Sequence, residues 1–203
     1  WEARIGSALS VAAIGDVDGD GRTEVVQGND ERALFVLDAA TGAVEATCTD
    51  VKPSWGSPAL CDVDGDRVLD VVVPSTFEVL ALSVAGGRFR ELWRHESGRR
   101  IYHRPLVSDL DGDTHPDVVL FDGSGAIHTF AAARVPLVWK NRVAKWDTEN
   151  LLPVGDPLDS LAVVGDRVRR LSREDGGVLA EYGGEHDGYA AVAADLAAAG
   201  RGE

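Results

Sequence analysis

An acidic nine-residue segment occurs three times in the chain and constrains the fold more than any other feature. Each copy begins Asp-x-Asp-Gly-Asp and ends on a fourth carboxylate, and the copies start about 46 to 47 residues apart, at residues 16–24, 62–70 and 109–117. A short apolar run precedes each copy and a Val-Val pair follows it. This pattern predicts that each acidic segment is a turn between two β-strands.

The rest of each period contains two further strand patterns. In the first period they are Ala33–Leu37 and Ala43–Thr47, with the turn-forming segment 39–42 between them. The corresponding strands of the next two periods are predicted at Val79–Leu82, Phe89–Trp93, Ile127–Phe130 and Pro136–Trp139. Four strands in a period of about 45 residues are typical of a β-propeller blade. We therefore predict an all-β fold of four-stranded antiparallel sheets.

The repeats divide the chain into four units and part of a fifth. Their approximate bounds are 6–50, 51–97, 98–143, 144–186 and 187–203. The fourth unit keeps the strand patterns Leu161–Val164, Val168–Leu171 and Val178–Tyr182 without an acidic loop, and the fifth begins at Tyr189. Because propellers close with about four to eight blades, and because Trp1-Glu2 resembles the end of a fourth strand, we expect the chain to be part of a larger propeller.

The carboxylates of the acidic segments have the spacing of a calcium loop. Calcium binds about six to eight oxygens, and carboxylates at alternate positions of a tight loop converge on one point. In each loop the predicted ligands are four carboxylates and the backbone carbonyl of the seventh residue. In chain order they are Asp16, Asp18, Asp20, Arg22 and Glu24; Asp62, Asp64, Asp66, Val68 and Asp70; and Asp109, Asp111, Asp113, His115 and Asp117. The sequence thus predicts about three Ca²⁺ sites.

Two other structures contain similar acidic segments. An EF-hand needs Gly at the sixth loop position and Glu at the twelfth, whereas Arg67 and Thr114 are at the sixth position of the last two loops and none has Glu at the twelfth. Asp-Gly pairs also make hairpin turns without a metal, but this does not explain four carboxylates in register three times. Such loops commonly have a positive φ at the sixth position, which Gly21 adopts at little cost and the other two residues do not.

The acidic loops with their flanking Val pairs resemble the FG-GAP and VCBS repeats of integrin α-subunit-like propellers, and segment 34–42 also resembles the outer strands of quinoprotein blades. The FG-GAP resemblance implies calcium in the loop between the first two strands of a blade. It further implies an extracellular adhesion or ligand-recognition module, secreted or at the cell surface. The alternative is an accessory or catalytic propeller domain of a secreted enzyme, such as a lyase or a quinoprotein.

Net charge and loop composition bear on the partners. A formal net charge of −14 makes nucleic acid and anionic membranes poor partners, and no apolar run approaches the roughly 20 residues of a membrane helix, so we expect no direct membrane insertion. The links between blades lie opposite the acidic loops and carry Trp55, Tyr102 and Arg104. Such side chains on long loops are typical of binding surfaces. We therefore predict a protein or carbohydrate ligand at that end, with packing between blades as the alternative for the two aromatic residues.

The remaining reactive side chains give no reason to propose an enzyme. The five histidines form no metal pair or catalytic set, and we expect them on the surface or in loops. Cys48 and Cys61 are not spaced as a zinc pair, and the sequence is compatible with either one disulfide or two thiols. The chain contains no phosphate-binding loop and no motif for an activated nucleophile.

Overall fold

Antiparallel β-sheet is the only regular structure in the described part of the chain. A computed structural model describes residues 1–8, 10–52, 56–110, 113–131, 137–142, 150–154, 160–164, 168–172 and 174–182. Sixteen strands in these residues form four four-stranded sheets, which confirms the predicted all-β fold. No helix that is long and apolar enough to span a bilayer occurs among them.

The strands follow one another in chain order within every sheet. The first sheet contains β1 (Ala13–Gly15), β2 (Glu24–Gly28), β3 (Leu34–Asp38) and β4 (Val44–Cys48). The second contains β5 (Ala59–Cys61), β6 (Asp70–Ser75), β7 (Glu78–Ala85) and β8 (Arg88–Glu96). The third contains β9 (Leu106–Ser108), β10 (Asp117–Phe121), β11 (Ala126–Ala131) and β12 (Leu137–Arg142). The fourth contains β13 (Asn150–Val154), β14 (Ser160–Val164), β15 (Val168–Ser172) and β16 (Val178–Tyr182).

Consecutive sheets lie side by side with their first strands adjacent. β1 contacts β5, β5 contacts β9, and β9 contacts β13, while the outer strands β4 and β8 also contact each other. Each sheet therefore packs a face against the next sheet and leaves its fourth strand at an outer edge. This is how consecutive blades of a propeller are arranged.

Apolar clusters fill the spaces between the sheets. Val26 and Leu34 of the first sheet pack in one cluster with Leu80 of the second. Between the second and third sheets, the rings of Trp93 and Phe130 lie 6.2 Å apart by centroid. Each fully buried aliphatic or aromatic side chain of this kind contributes about 1.5–3 kcal/mol to the free energy of folding. The packing of these clusters holds the loops at each end of the sheets in fixed relative positions.

Trp1 packs on the turn between β3 and β4. Residues 1–5 form no strand, and the indole Nε1 of Trp1 instead donates a hydrogen bond to the carbonyl oxygen of Ala39, at 2.9 Å. The indole ring lies over Gly42, whose φ is 74°, and a Cβ at that position would overlap the ring. The β3–β4 turn therefore requires glycine both for its backbone conformation and for the approach of Trp1.

The two cysteines are thiols in this structure. Cys48 is partly buried, Cys61 is buried, and the two are not bonded to each other. Burial is the main reason why the pKa of Cys61 is raised, to about 12. A thiol with such a pKa stays protonated near neutral pH and is a poor nucleophile. The fifth unit predicted from Tyr189 onward lies outside the described residues.

Candidate metal centre

The three acidic segments lie at equivalent places in the first three sheets, as the loops between first and second strands. Strand pairing fixes the ends of each loop. The residue before the loop is directly opposite the fourth carboxylate, in the pairs Gly15 with Glu24, Cys61 with Asp70, and Ser108 with Asp117. The fourth carboxylate is thus the first residue of the second strand, and the register of the sheet positions it beneath its loop.

One hydrogen bond recurs in all three loops and ties the fourth carboxylate to the loop. A carboxylate oxygen accepts from the backbone N–H of the second loop residue. The pairs are Val17 to Glu24 Oε2 at 2.9 Å, Val63 to Asp70 Oδ2 at 2.8 Å, and Leu110 to Asp117 Oδ2 at 2.9 Å. All three of these carboxylates are buried. The loops therefore share a local structure as well as a sequence.

The first aspartate of a loop organises its backbone. Asp16 accepts hydrogen bonds from the N–H groups of Gly19 (2.8 Å) and Gly21 (2.9 Å). Asp62 does the same in the second loop for Gly65 (2.7 Å) and Arg67 (2.9 Å). These bonds hold the loop closed around its carboxylates.

The backbone at the sixth position confirms the prediction of a positive φ. The values are 84° at Gly21, 74° at Arg67 and 72° at Thr114. In the third loop the N–H of Thr114 donates to Asp109 Oδ2 at 3.0 Å, as its counterparts do in the other loops. The same turn therefore forms with three different residues, at a conformational cost for the two that are not glycine.

The first loop gathers three carboxylates. Oxygens of Asp16, Asp18 and Glu24 all lie within 4.8 Å of one another. Glu24 is fully buried, and its Oε1 has no hydrogen-bond partner. Burial is the main cause that raises the pKa of Glu24, and the negative charges of Asp18 and Asp16 add to it. A buried oxygen without a partner costs free energy that a bound cation would offset, so these residues fit a hard cation with oxygen ligands.

Asp20, a predicted ligand in the first loop, is held by Arg22. Its Oδ2 is 2.7 Å from Nε and 2.6 Å from Nη2 of the Arg22 guanidinium, which also contacts Asp38 at 3.0 Å and Glu45 at 3.5 Å. The hydrogen bond from Arg22 is the main cause that lowers the pKa of Asp20. Arg22 therefore competes with any cation for this carboxylate.

The second loop gathers a different set. Oxygens of Asp62, Asp64 and Asp66 lie within 4.8 Å of one another. Asp70 is not part of this group. Burial raises its pKa to about 6, with the charges of Asp64 and Asp66 as further causes. Arg90, on β8, reaches Asp64 Oδ2 at 3.1 Å.

The third loop is described in part. Asp113 Oδ1 accepts from the N–H of His115 at 2.8 Å, and the ring Nδ1 of His115 is 3.1 Å from the backbone oxygen of Asp113. Asp111 lies outside the described residues. The assignment of the Arg22, Val68 and His115 carbonyls as ligands stays a prediction.

Comparison with known families gives the loops a name. Residues 16–73, which include the first two acidic loops, match the FG-GAP-like repeat. The match covers these 58 residues, and this segment is therefore similar to an FG-GAP-like repeat. No curated protein matches the chain.

Solved structures with a similar fold include two natural proteins and one designed protein. They are BamB from Moraxella catarrhalis (19% identity, TM-score 0.60, covering 82% of this chain and 46% of that chain), the computationally designed Ika8 protein (12%, 0.59, 79% and 46%), and Saccharomyces cerevisiae Sqt1 (11%, 0.60, 78% and 47%). BamB and Sqt1 are β-propeller proteins. At these identities the likeness shows the fold alone. The chain spans about half the length of each of these structures.

The end opposite the acidic loops contains a cavity of about 610 Å³. It is lined by residues of two turns and two links between strands, including Arg32, Lys52, Phe77, Glu78, Glu96 and Arg100. Beside it, Tyr102 is 46% exposed and Arg104 is exposed. Trp55 lies outside the described residues. Sequence reasoning missed most of the cavity because its lining comes from separate turns without a shared motif.

The expectation that all histidines lie on the surface or in loops is wrong for His128. His128 is in β11 and only 1% exposed, and its Nε2 is 2.8 Å from Oδ2 of the buried Asp122. Side chains two residues apart in a strand share a face, and His128 therefore faces the same way as the buried Ala126 and Phe130. All of residues 126–130 are buried, so His128 is buried by packing on both faces of β11, which no alternation in the sequence indicates.

Proposed function

We propose that this FG-GAP chain is a calcium-binding propeller module that recognises a ligand, in adhesion or a related extracellular role. The observation that carries the proposal is the buried, unpartnered Oε1 of Glu24 beside the carboxylates of Asp16 and Asp18. A bound cation would satisfy this oxygen, and the neighbouring carboxylates supply further oxygens. The FG-GAP-like match of residues 16–73 supports the same interpretation.

The loop residues have separate parts in this proposal. Asp16, Asp18 and Glu24 would hold the ion in the first loop, and Asp62, Asp64 and Asp66 would hold it in the second. The backbone N–H groups that bond Asp16 and Asp62 keep these oxygens in place before the ion arrives. Bound calcium would neutralise the repulsion between the carboxylates. Calcium suits such a site better than magnesium, which needs a strict octahedron and keeps several of its waters.

The recognition surface in this proposal is the end opposite the calcium loops. Tyr102 and Arg104 are exposed there, and the Arg100 guanidinium lies 6.0 Å from the Tyr102 ring centroid. Exposed aromatic and arginine side chains on links are the residue types that dominate binding surfaces. An extracellular location fits because modules outside the cell bind calcium with dissociation constants of about 10⁻⁴ to 10⁻³ M.

Thermal melting with and without calcium tests the metal part of the proposal. We expect 1–5 mM CaCl₂ to raise the melting temperature over that in EDTA, because an ion that binds only the folded chain stabilises it, by up to about 2 kcal/mol per site at 50 times its Kd. MgCl₂ at the same concentration should give a smaller rise. Glu24→Gln should reduce the calcium effect, whereas the matched control Glu174→Gln, at an exposed site outside the loops, should not. Superimposable curves in CaCl₂ and EDTA would refute the proposal.

A further inference from the structure

Three cationic side chains line the cavity opposite the FG-GAP loops. Arg32 comes from the β2–β3 turn, Lys52 from the link between β4 and β5, and Arg100 from the link that follows β8. Within the described part of the chain, none of the three forms an ion pair with a carboxylate. In a chain of net charge −14, cations left together without carboxylate partners indicate an anionic ligand.

The backbone around the cavity is strained. Outside the acidic loops, Arg32 (φ 71°) and Thr76 (φ 55°) are the non-glycine residues of the described chain with positive φ, and both line this cavity. Such a conformation costs about 1–3 kcal/mol and is a clear outlier for a β-branched residue. Hydrogen bonds hold the turn, because Ile101 N–H donates to Thr76 O at 2.9 Å and Lys52 N–H donates to Ser75 Oγ at 3.0 Å. Strain held in place this firmly is typical of binding sites.

An aromatic surface stands beside the cations. Phe77 is 51% exposed, and the Arg100 guanidinium lies 5.8 Å from the centroid of its ring. Tyr102 flanks the same guanidinium at 6.0 Å. Two aromatic rings therefore hold Arg100 in position, and Phe77 leaves an apolar face exposed that suits the flat face of a sugar ring.

The cavity also contains carboxylates, which restrict the class of anion. Glu78, bonded to Arg94 at 3.2 Å, and the exposed Glu96 both line it. Carboxylates accept hydrogen bonds from hydroxyl groups and repel other carboxylates. In an acidic peptide the ionised side chains have no donor for these carboxylates and would be repelled by them. A ligand that carries hydroxyl groups together with one carboxylate per unit can pair its carboxylates with the cationic side chains and donate its hydroxyl groups to the glutamates.

We infer that this cavity binds a short uronate oligosaccharide, with its carboxylates at Arg32, Lys52 and Arg100, a ring face on Phe77 and its hydroxyl groups at the glutamates. The inference rests on the proposed recognition function and names the class of ligand. The volume of about 610 Å³ is within the range of about 300–1,000 Å³ found for small-ligand sites. A protein partner would need to bury roughly 800 Å² of surface on each side, so the cavity suits a small ligand better than a protein.

Isothermal titration calorimetry of the whole chain in CaCl₂ buffer with α-1,4-linked trigalacturonate tests the inference. We expect a Kd of about 10 μM to 1 mM. The fully methyl-esterified trimer, which has the same rings without charge, and triglutamate, which has the charges without rings, should bind at least about tenfold more weakly.

Variants locate the binding. Arg100→Gln and Lys52→Gln should each weaken trigalacturonate binding about tenfold or more, and Phe77→Ala should weaken it without a change in charge. The matched control is Arg88→Gln, an exposed arginine at the start of β8, at the end of the sheet that carries the acidic loops. Each variant is first shown to melt like the parent chain. Because Phe77 is half exposed, Phe77→Ala is expected to fold, and it can still test the inference if another variant misfolds.

Three results would overturn the inference: no heat at 10 mM trigalacturonate, equal affinity for triglutamate, or an equal loss in Arg88→Gln. The calcium melting curves are independent of these titrations. A chain that calcium stabilises but trigalacturonate does not bind contradicts this inference alone. A chain that calcium does not stabilise contradicts the proposed function.

Discussion

At the scale of single residues, Arg22 makes the first acidic loop differ from the second. Its guanidinium bonds Asp20, which is absent from the group of Asp16, Asp18 and Glu24. Asp66 occupies the same position in the second loop and belongs to the acidic group there. The shared Asp-Val-Asp-Gly-Asp start thus presents two different sets of oxygens, because the first loop continues with Arg22 and Glu24 where the second has Val68 and Asp70.

Replacing Arg22 should strengthen calcium binding at the first loop. In Arg22→Gln the guanidinium no longer competes for Asp20 or repels the ion, and because an exposed ion pair is weak, we expect at most about a fivefold gain in affinity. The measurement is a calcium titration in an Asp64→Ala/Asp109→Ala background, which disables the second and third loops. Arg90→Gln is the matched variant for the second loop, where Arg90 contacts Asp64, and should act there only. A weaker first site in Arg22→Gln would contradict the prediction.

Gly21 offers a test of backbone strain without steric complications. Its φ is 84°, and a Cβ there would have no atom within 4 Å. Gly21→Ala should therefore lower the free energy of unfolding by about 1 kcal/mol through the backbone alone. Arg67→Gly, at a φ of 74°, should raise it. Urea unfolding in EDTA measures both, and the prediction fails if the two changes have the same sign.

At the scale of elements, β8 and β11 bring two histidines together between the second and third sheets. The rings of His95 and His128 lie 5.6 Å apart by centroid. His128 Nδ1 and His95 Nε2 are both buried without a hydrogen-bond partner. Burial is the main cause that lowers the pKa of each, Lys140 adds to the lowering, and Asp122 partly opposes it at His128. The fold therefore prefers both rings neutral.

This preference predicts a loss of stability in mild acid. Because the folded pKa values lie below the unfolded value of about 6.5, the unfolded chain takes up more protons as the pH falls through 6.5. The melting temperature in CaCl₂ should fall between pH 7.5 and 5.5. His95→Phe, which keeps a ring 4.4 Å from that of Phe130, should flatten this slope, whereas His103→Gln should not. An unchanged slope in His95→Phe would show that other groups cause it.

The sequence predicted strands correctly where the repeat was strong. It missed strands and contacts that depend on residues distant in the sequence. The Val-Val pairs and acidic loops placed the sheets that contain β2, β6 and β10. β13 was not predicted, because Asn150–Val154 contains Pro153, which is disfavoured within a strand. This segment is a strand because it pairs with β14. The bond from Arg22 to Asp20 depends on side-chain orientation. The placement of Arg32 and Arg100 around one cavity depends on tertiary packing. A local pattern contains neither.

At the scale of the whole molecule, the net charge of −14 affects stability. Like charges repel more in the compact chain than in the unfolded one. In EDTA, we expect the melting temperature to rise as KCl increases from 10 to 500 mM. The rise should be smaller in CaCl₂, because bound ions already neutralise part of the acidic surface. A salt effect of equal size in both buffers would contradict this account.

The outer strands differ in how well they resist pairing with other molecules. An edge strand with unpaired N–H and C=O groups is a template for aggregation unless charged side chains block it. β8 has five such charges among its nine residues, whereas β4 has only Glu45, and Val44 beside it is 51% exposed. In concentrated solutions, intermolecular strand addition is therefore expected to favour β4 over β8.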